Sequence, residues 1–172
     1  MNNKKSLIIY FSREDENYSV GYIDKGNTEV IADFIKEITG ADTFKVERKK
    51  AYPKEYMSCT KEAQEEQNID ARPELIKELD NIDSYDVIYI GSPVWWGVMP
   101  QPMVTQLEKI DFSGKTVRVF TTHEGSGLGS IPSQVKRLCT GANVLDNSLA
   151  VKGSNVNSAK SIVEDCVNYE YK

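Results

Sequence analysis

Residues 85–100, "YDVIYIGSPVWWGVMP", decide the fold. Residues 85–92 form a short apolar run rich in β-formers, which reads as a buried strand. Pro93, Gly97 and Pro100 punctuate the next eight residues, and the two tryptophans of the chain, Trp95 and Trp96, sit side by side between them. After Pro102 the run "MVTQLEKI" reads as a helix. A strand, a loop and a helix in that order make one unit of a parallel sheet. Adjacent residues on a strand or loop point in different directions. At most one of the two indole rings therefore fits wholly in a core.

The same unit recurs on either side. "KSLIIYFS" (5–12) is a buried strand, and Val30, Ile31, Phe34, Ile35 and Ile38 then recur at helical spacing. Asn27 or Thr28 is expected to cap that helix, and Gly40 follows its end. "DTFKVER" (42–48) alternates and reads as a half-exposed edge strand. "PKEYMSCTKEAQEEQN" (53–68) is a polar helix with Pro53 in its first turn. "RPELIKELDNI" (72–82) reads as a second short helix opened by Pro73. "KTVRVFTT" (115–122) is a strand, "IPSQVKRLC" (131–139) a helix ending near Gly141, and "NVLDNSLAVKG" (143–153) a bent or split strand. Val156, Ala159, Ile162, Val163, Cys166 and Val167 mark a closing helix. Five alternations imply an α/β fold: a doubly wound parallel sheet of five strands with helices on both faces. No linker or repeat divides the chain, so residues 1–172 are expected to form a single domain.

Composition narrows the function. Of 172 residues 40% are hydrophobic, enough for a substantial core, and the formal net charge of −5 argues against nucleic acid. No run approaches the about 20 apolar residues of a membrane span, and the apolar stretch 7–11 is too short for a signal-peptide core. A cytoplasmic protein is expected. The three cysteines, Cys59, Cys139 and Cys166, are widely separated and form no CxxC, as in a reduced protein. With one histidine and no cysteine cluster, no metal site is expected.

In an open parallel sheet ligands bind beyond the carboxyl ends of the strands, where the strand order reverses. Three loops at such ends hold the unusual residues. The first suits a phosphate: Ser12 and Thr28 carry hydroxyls, Gly26 and Asn27 tolerate a tight backbone, and Arg13 carries a charged fork. An ordinary helix cap reads the same way. Glu14, Asp15 and Glu16 would repel a dianion, so the insertion 14–25 is expected to loop outward into solvent. The second loop carries Trp95, Trp96 and Met99; one tryptophan is assigned to the core and one, Trp96 beside Gly97, to a flat ligand, with a partner-protein contact as the alternative. The third, "THEGSGLGS", holds His123 and Glu124. Neither has a recognisable catalytic companion, and the glycines suit close approach to something flat or bulky. Gly125, Ser126 and Gly127 form a GxG, but outside a first strand–helix turn it is no dinucleotide fingerprint.

The pieces "YFSR…GNTEVIA", "ARPEL", "GSPVWWG" and "THEGSGLG", in this order and spacing, resemble the flavodoxin family, and the resemblance spans essentially the whole chain. It implies the strand order 2-1-3-4-5 and non-covalently bound FMN. It implies the FMN phosphate at Ser12, Arg13, Asn27 and Thr28. It implies the flavin ring between Pro93, Val94, Trp95, Trp96 and Gly97 on one side and Thr121, Thr122, His123, Glu124, Gly125, Ser126 and Gly127 on the other. Backbone near Trp96 and Gly97 would face the flavin N5 edge, and that of residues 122–125 the pyrimidine edge. Two departures stand out. The insertion 14–25 interrupts the compact phosphate loop. Residues 121–130 lack the aromatic that usually stacks on the flavin, a role left to His123 or to Tyr18 or Tyr22. The implied function is electron transfer between redox partner proteins, a reductase and an acceptor enzyme. The alternative is a small FMN-dependent NAD(P)H oxidoreductase with a quinone-type acceptor. A receiver-type module of the same topology would need an acceptor aspartate after the third strand, where this chain has Gly91, Ser92 and Pro93.

Overall fold

The computed structural model describes residues 4–169. Its main sheet is parallel throughout. Strand β1 (Ser6–Tyr10) pairs on one side with β4 (Asp42–Lys45) and on the other with β5 (Val87–Pro93), which pairs with β6 (Thr116–His123). The last place is shared by two short strands, β7 (Asn143–Val144) and β8 (Leu149–Lys152), which pair with successive parts of β6. The order is that of a doubly wound sheet, with the fifth strand split in two. Strands β2 (Asp15–Asn17) and β3 (Gly21–Ile23) form a separate antiparallel hairpin within the first insertion.

Side chains of each strand alternate between two apolar layers, as the pleat requires. In β1, Leu7 and Ile9 face one layer while Ile8 and Tyr10 face the other. The first layer is closed by helices α3 (Gln101–Leu107) and α4 (Ile131–Leu138), through Met103, Val104, Leu107, Ile131 and Val135. The second is closed by α1 (Asn27–Thr39) and α5 (Lys160–Val167), through Ile31, Ala32, Ile35 and Val163. Each fully buried isoleucine or leucine contributes roughly 1.5–3 kcal/mol. Gly91 is required where it stands: a Cβ there would lie 2.0 Å from Cζ of Phe120, whose ring covers the backbone of β5.

Local sequence signals place most ends correctly and miss some. Helix α1 has Gly26 as its N-cap, not Asn27 or Thr28, because Ser12 Oγ from the preceding strand end accepts the Glu29 amide in place of a local cap. It ends at Gly40, whose left-handed φ of 71° lets its amide donate back to Lys36 O at 2.8 Å. Helix α2 runs Tyr56–Asn68, so Pro53 precedes it instead of occupying its first turn. The stretch 72–82 is not the expected helix. Leu75 forms an antiparallel bridge with Arg48, with Lys49 N–H donating to Glu74 O and Ile76 N–H to Glu47 O. Gln106 side-chain bonds to both backbone groups of Leu79 satisfy the non-helical backbone there. Pairing and burial of Leu75 and Ile82 outweigh a weak local preference. The closing helix is likewise shorter than its pattern, because residues Gly153–Ser158 wind as a 3₁₀ turn first. No helix among the described residues is long and apolar enough to cross a membrane.

Candidate functional site

From β1 the chain crosses to β4 on one side, then returns past β1 to β5 on the other. The reversal opens a crevice above the carboxyl ends of β1 and β5. A cavity of about 360 Å³ lies there, walled by the loops after β1, β5 and β6 and by α2. Arg13, Asn27, Thr28, Pro93, Val94, Trp95, Trp96, Gly97, Thr122, His123, Glu124 and Ser126 all reach it.

The other four expected residues stand just behind. Ser12 is buried and its Oγ accepts from the Glu29 amide at 3.0 Å, so its hydroxyl serves the first turn of α1. Thr121 is fully buried and donates to Gly127 O at 2.9 Å, pinning the third loop. Gly125 and Gly127 have φ of 125° and 61°, angles that L side chains rarely adopt, and shape the loop through their backbone. Met99 is wholly buried in the core.

The three loops are braced against one another. Thr28 Oγ1 and Thr122 Oγ1 share a hydrogen bond of 2.7 Å. The Val94 amide donates to Thr122 O at 3.1 Å, and the Ser130 amide to Gly97 O at 2.8 Å. A site held by such cross-links needs little reorganisation on binding.

The tryptophans part company. Trp95 is half-buried, with edge-to-face contacts to Phe11 and Tyr52, each at 5.2 Å between ring centroids. Tyr52 is itself fixed from behind: the Arg48 guanidinium lies 3.5 Å over its ring, and its hydroxyl donates to Glu66, which also pairs with Arg48 at 3.2 Å. Trp96 is 55% exposed and lies on the cavity, its Nε1–H donating to Thr60 O at 3.0 Å. Its φ of 52°, followed by 82° at Gly97, makes a tight reversal closed by the mutual bonds of Trp95 and Val98. A bulky residue in that conformation is an outlier that costs roughly 1–2 kcal/mol, and such strain gathers at binding sites.

The donor set can be tested against a ligand. In the first turn of α1 the Val30 amide bonds to Gly26 O and the Glu29 amide to Ser12 Oγ. The amides of Asn27 and Thr28 have no acceptor among the described residues, and they stand at the positive end of a 13-residue helix. That end suits an anion. Beside it, Glu124 Oε1 is buried without a hydrogen-bond partner. A Cβ on Gly153 would lie 2.3 Å from that oxygen and 2.4 Å from Asn27 Nδ2, so the two side chains converge. That oxygen has no exposed surface and stands over Gly153, outside the cavity lining, so it is not offered to a ligand. The open helix start and the exposed Trp96 ring fit a molecule with an anionic group and a flat ring. His123 Nδ1 accepts from the Gly125 amide at 2.9 Å, which leaves the proton of the neutral ring on Nε2. Among the described residues no group of three His, Cys, Asp or Glu side chains converges for a metal ion.

A family model described as Flavodoxin matches residues 17–166. The chain belongs to the flavodoxin family. Among curated proteins there is no match. Of solved structures, a flavoprotein from Lactobacillus acidophilus, in complex with FMN, is 28% identical, with a TM-score of 0.63 over 90% of this chain and 97% of its own. A candidate flavoprotein from Bacteroides uniformis (24% identity, TM-score 0.70, 94% and 98%) and flavodoxin 2 from Bacillus cereus (20%, 0.53, 96% and 99%) share the fold.

One expectation within this flavodoxin-family site is corrected. The insertion does not loop outward with its carboxylates in solvent. Glu14 pairs with Lys45 at 3.4 Å, and Glu16 Oε2 accepts from the Tyr56 amide at 3.0 Å, so the hairpin folds onto the start of α2. Tyr18, one of the aromatics considered for the ring, lies on the cavity, and sequence reasoning missed the rest of the wall that α2 and the hairpin supply: Asn17, Tyr56, Cys59, Thr60 and Ala63. A polar helix with a weak apolar stripe gives little hint that its first turns face a ligand. Burial pushes the Cys59 thiol up to about 11, so it lines the wall as a neutral group.

Proposed function

We propose that the protein binds FMN without a covalent link and passes electrons between redox partner proteins, a reductase and an acceptor enzyme, as a single domain over residues 1–172. The observation that carries this reading is the convergence on one cavity of an open helix start and the outward-turned Trp96. The amides of Asn27 and Thr28 would hold the phosphate. The loops at Trp96 and at His123 would flank the ring. Bound FMN supplies the redox chemistry, and the protein supplies position and electrostatics. The net charge of −5 favours a basic partner, with association weakening as salt rises. Three free thiols suit a reducing compartment, the cytoplasm.

Stopped-flow absorbance of the FMN-loaded protein tests the reading. Reduction by NADH or NADPH alone is expected to be slow, and to become fast when a flavoprotein reductase is added. Rapid, saturable reduction by NAD(P)H alone would make the protein a small FMN-dependent oxidoreductase instead.

A further inference from the structure

Tyr18 is 61% exposed yet held in place by a network out of proportion to a surface loop. Arg13 donates through Nε to Glu16 O at 3.2 Å and through Nη2 to Lys54 O at 2.9 Å. The Glu16 carboxylate accepts from the first amide of α2, and Asn17 Nδ2 donates to Arg13 O at 3.0 Å. The hairpin and the start of α2 are thereby locked together. Above this lock the rings of Tyr18 and Tyr56 lie 5.9 Å apart at 34°, both on the cavity. Tyr22, across the hairpin, is 71% exposed and does not reach it. An exposed aromatic held over a cavity gains little from the core, so its contact area is kept for what enters the cavity.

We propose that the hairpin is the aromatic wall of the flavin pocket, with Tyr18 contacting the bound flavin and Arg13 a positioning residue that locks the wall instead of binding phosphate. This rests on the FMN reading above. The Nε–Nη2 edge of Arg13, one of the two a guanidinium can offer to a phosphate side-on, is already engaged by two carbonyls. The phosphate is left to the amides of Asn27 and Thr28. The wall supplies the aromatic that residues 121–130 lack.

Fluorescence titrations of the apoprotein with FMN and with riboflavin separate these roles. Tyr18→Ala should weaken both ligands by about tenfold, the scale of one lost aromatic contact, while Tyr18→Phe should stay close to wild type. Arg13→Met should weaken FMN and riboflavin by the same factor, Arg13→Lys should recover part of the loss, and Arg13→Met should cost nothing further in the Tyr18→Ala background. The flavin absorbance band of the Arg13→Met protein should shift toward that of Tyr18→Ala, which a general loss of stability would not produce. Loss confined to FMN in Arg13→Met would make Arg13 a phosphate ligand and overturn the lock. Unchanged affinity in Tyr18→Ala, an exposed position where folding is not at stake, would overturn the wall. A wild-type protein that binds neither ligand would instead remove the FMN reading beneath both.

Discussion

Replacing Trp95 and Trp96 one at a time should affect different properties. Trp95→Ala removes two edge-to-face contacts at 5.2 Å and leaves Phe11 and Tyr52 beside a void. A fully buried tryptophan costs ~3–5 kcal/mol on truncation. Trp95 is half-buried, so roughly 2–4 kcal/mol of apoprotein stability should go. Trp96→Ala removes one hydrogen bond to Thr60 O from a ring that is 55% exposed, a loss of about 1 kcal/mol or less. Trp96→Gly loses the same bond but relieves the left-handed backbone by about 1 kcal/mol, so it should match wild type within error. Urea unfolding of the three apoproteins measures these differences at constant m-value. Flavin titration should rank them otherwise, with both Trp96 variants binding FMN more weakly although their stability is nearly kept. Equal destabilisation by Trp95→Ala and Trp96→Ala would refute the division of labour. Trp96→Gly no more stable than Trp96→Ala would refute the backbone-strain argument.

Calorimetry of the apoprotein should show tighter binding of FMN than of riboflavin, and equal affinities would refute the phosphate site at the start of α1. Arg48→Met should destabilise the fold by ~3–5 kcal/mol in chemical denaturation, because Glu66, 9% exposed, would keep only the Tyr52 hydroxyl in place of its ion pair. Gly129→Ala should weaken flavin binding and lower the melting temperature together, since a Cβ there would lie 2.5 Å from Gly97 O, at a φ of 53°. In thiol titration with an aromatic disulfide at neutral pH, Cys166 should react first and Cys166→Ser should abolish the fast phase. Cys59 and Cys139 are buried, and burial holds their thiols at about 11 and about 12, so the reactive thiolate gains population only as pH climbs toward those values.

Periodicity and punctuation determined much about this protein. The buried runs around Ile8, Ile88 and Val119 alternate with helices whose apolar stripes repeat every three to four residues, and that pattern admits few arrangements besides a doubly wound sheet. The loops that wall the cavity were legible for the same reason: a parallel sheet exposes the carboxyl ends of its strands, and glycines, hydroxyls and tryptophans gather there. Other features depended on contacts between residues far apart in the chain. Residues 72–82 carry a helical local preference, yet Leu75 is drawn out by a bridge to Arg48, because an extended partner and a buried side chain outweigh fractions of a kcal/mol per residue. The carboxylates of Glu14 and Glu16 look fit only for solvent until Lys45 and the Tyr56 amide, 31 and 40 residues away, come to meet them. Which tryptophan turns outward followed from neither ring's chemistry. It was decided by Phe11 and Tyr52, which hold Trp95, and by a reversal at Trp96 and Gly97 whose backbone angles exist only once Val98 closes back on Trp95.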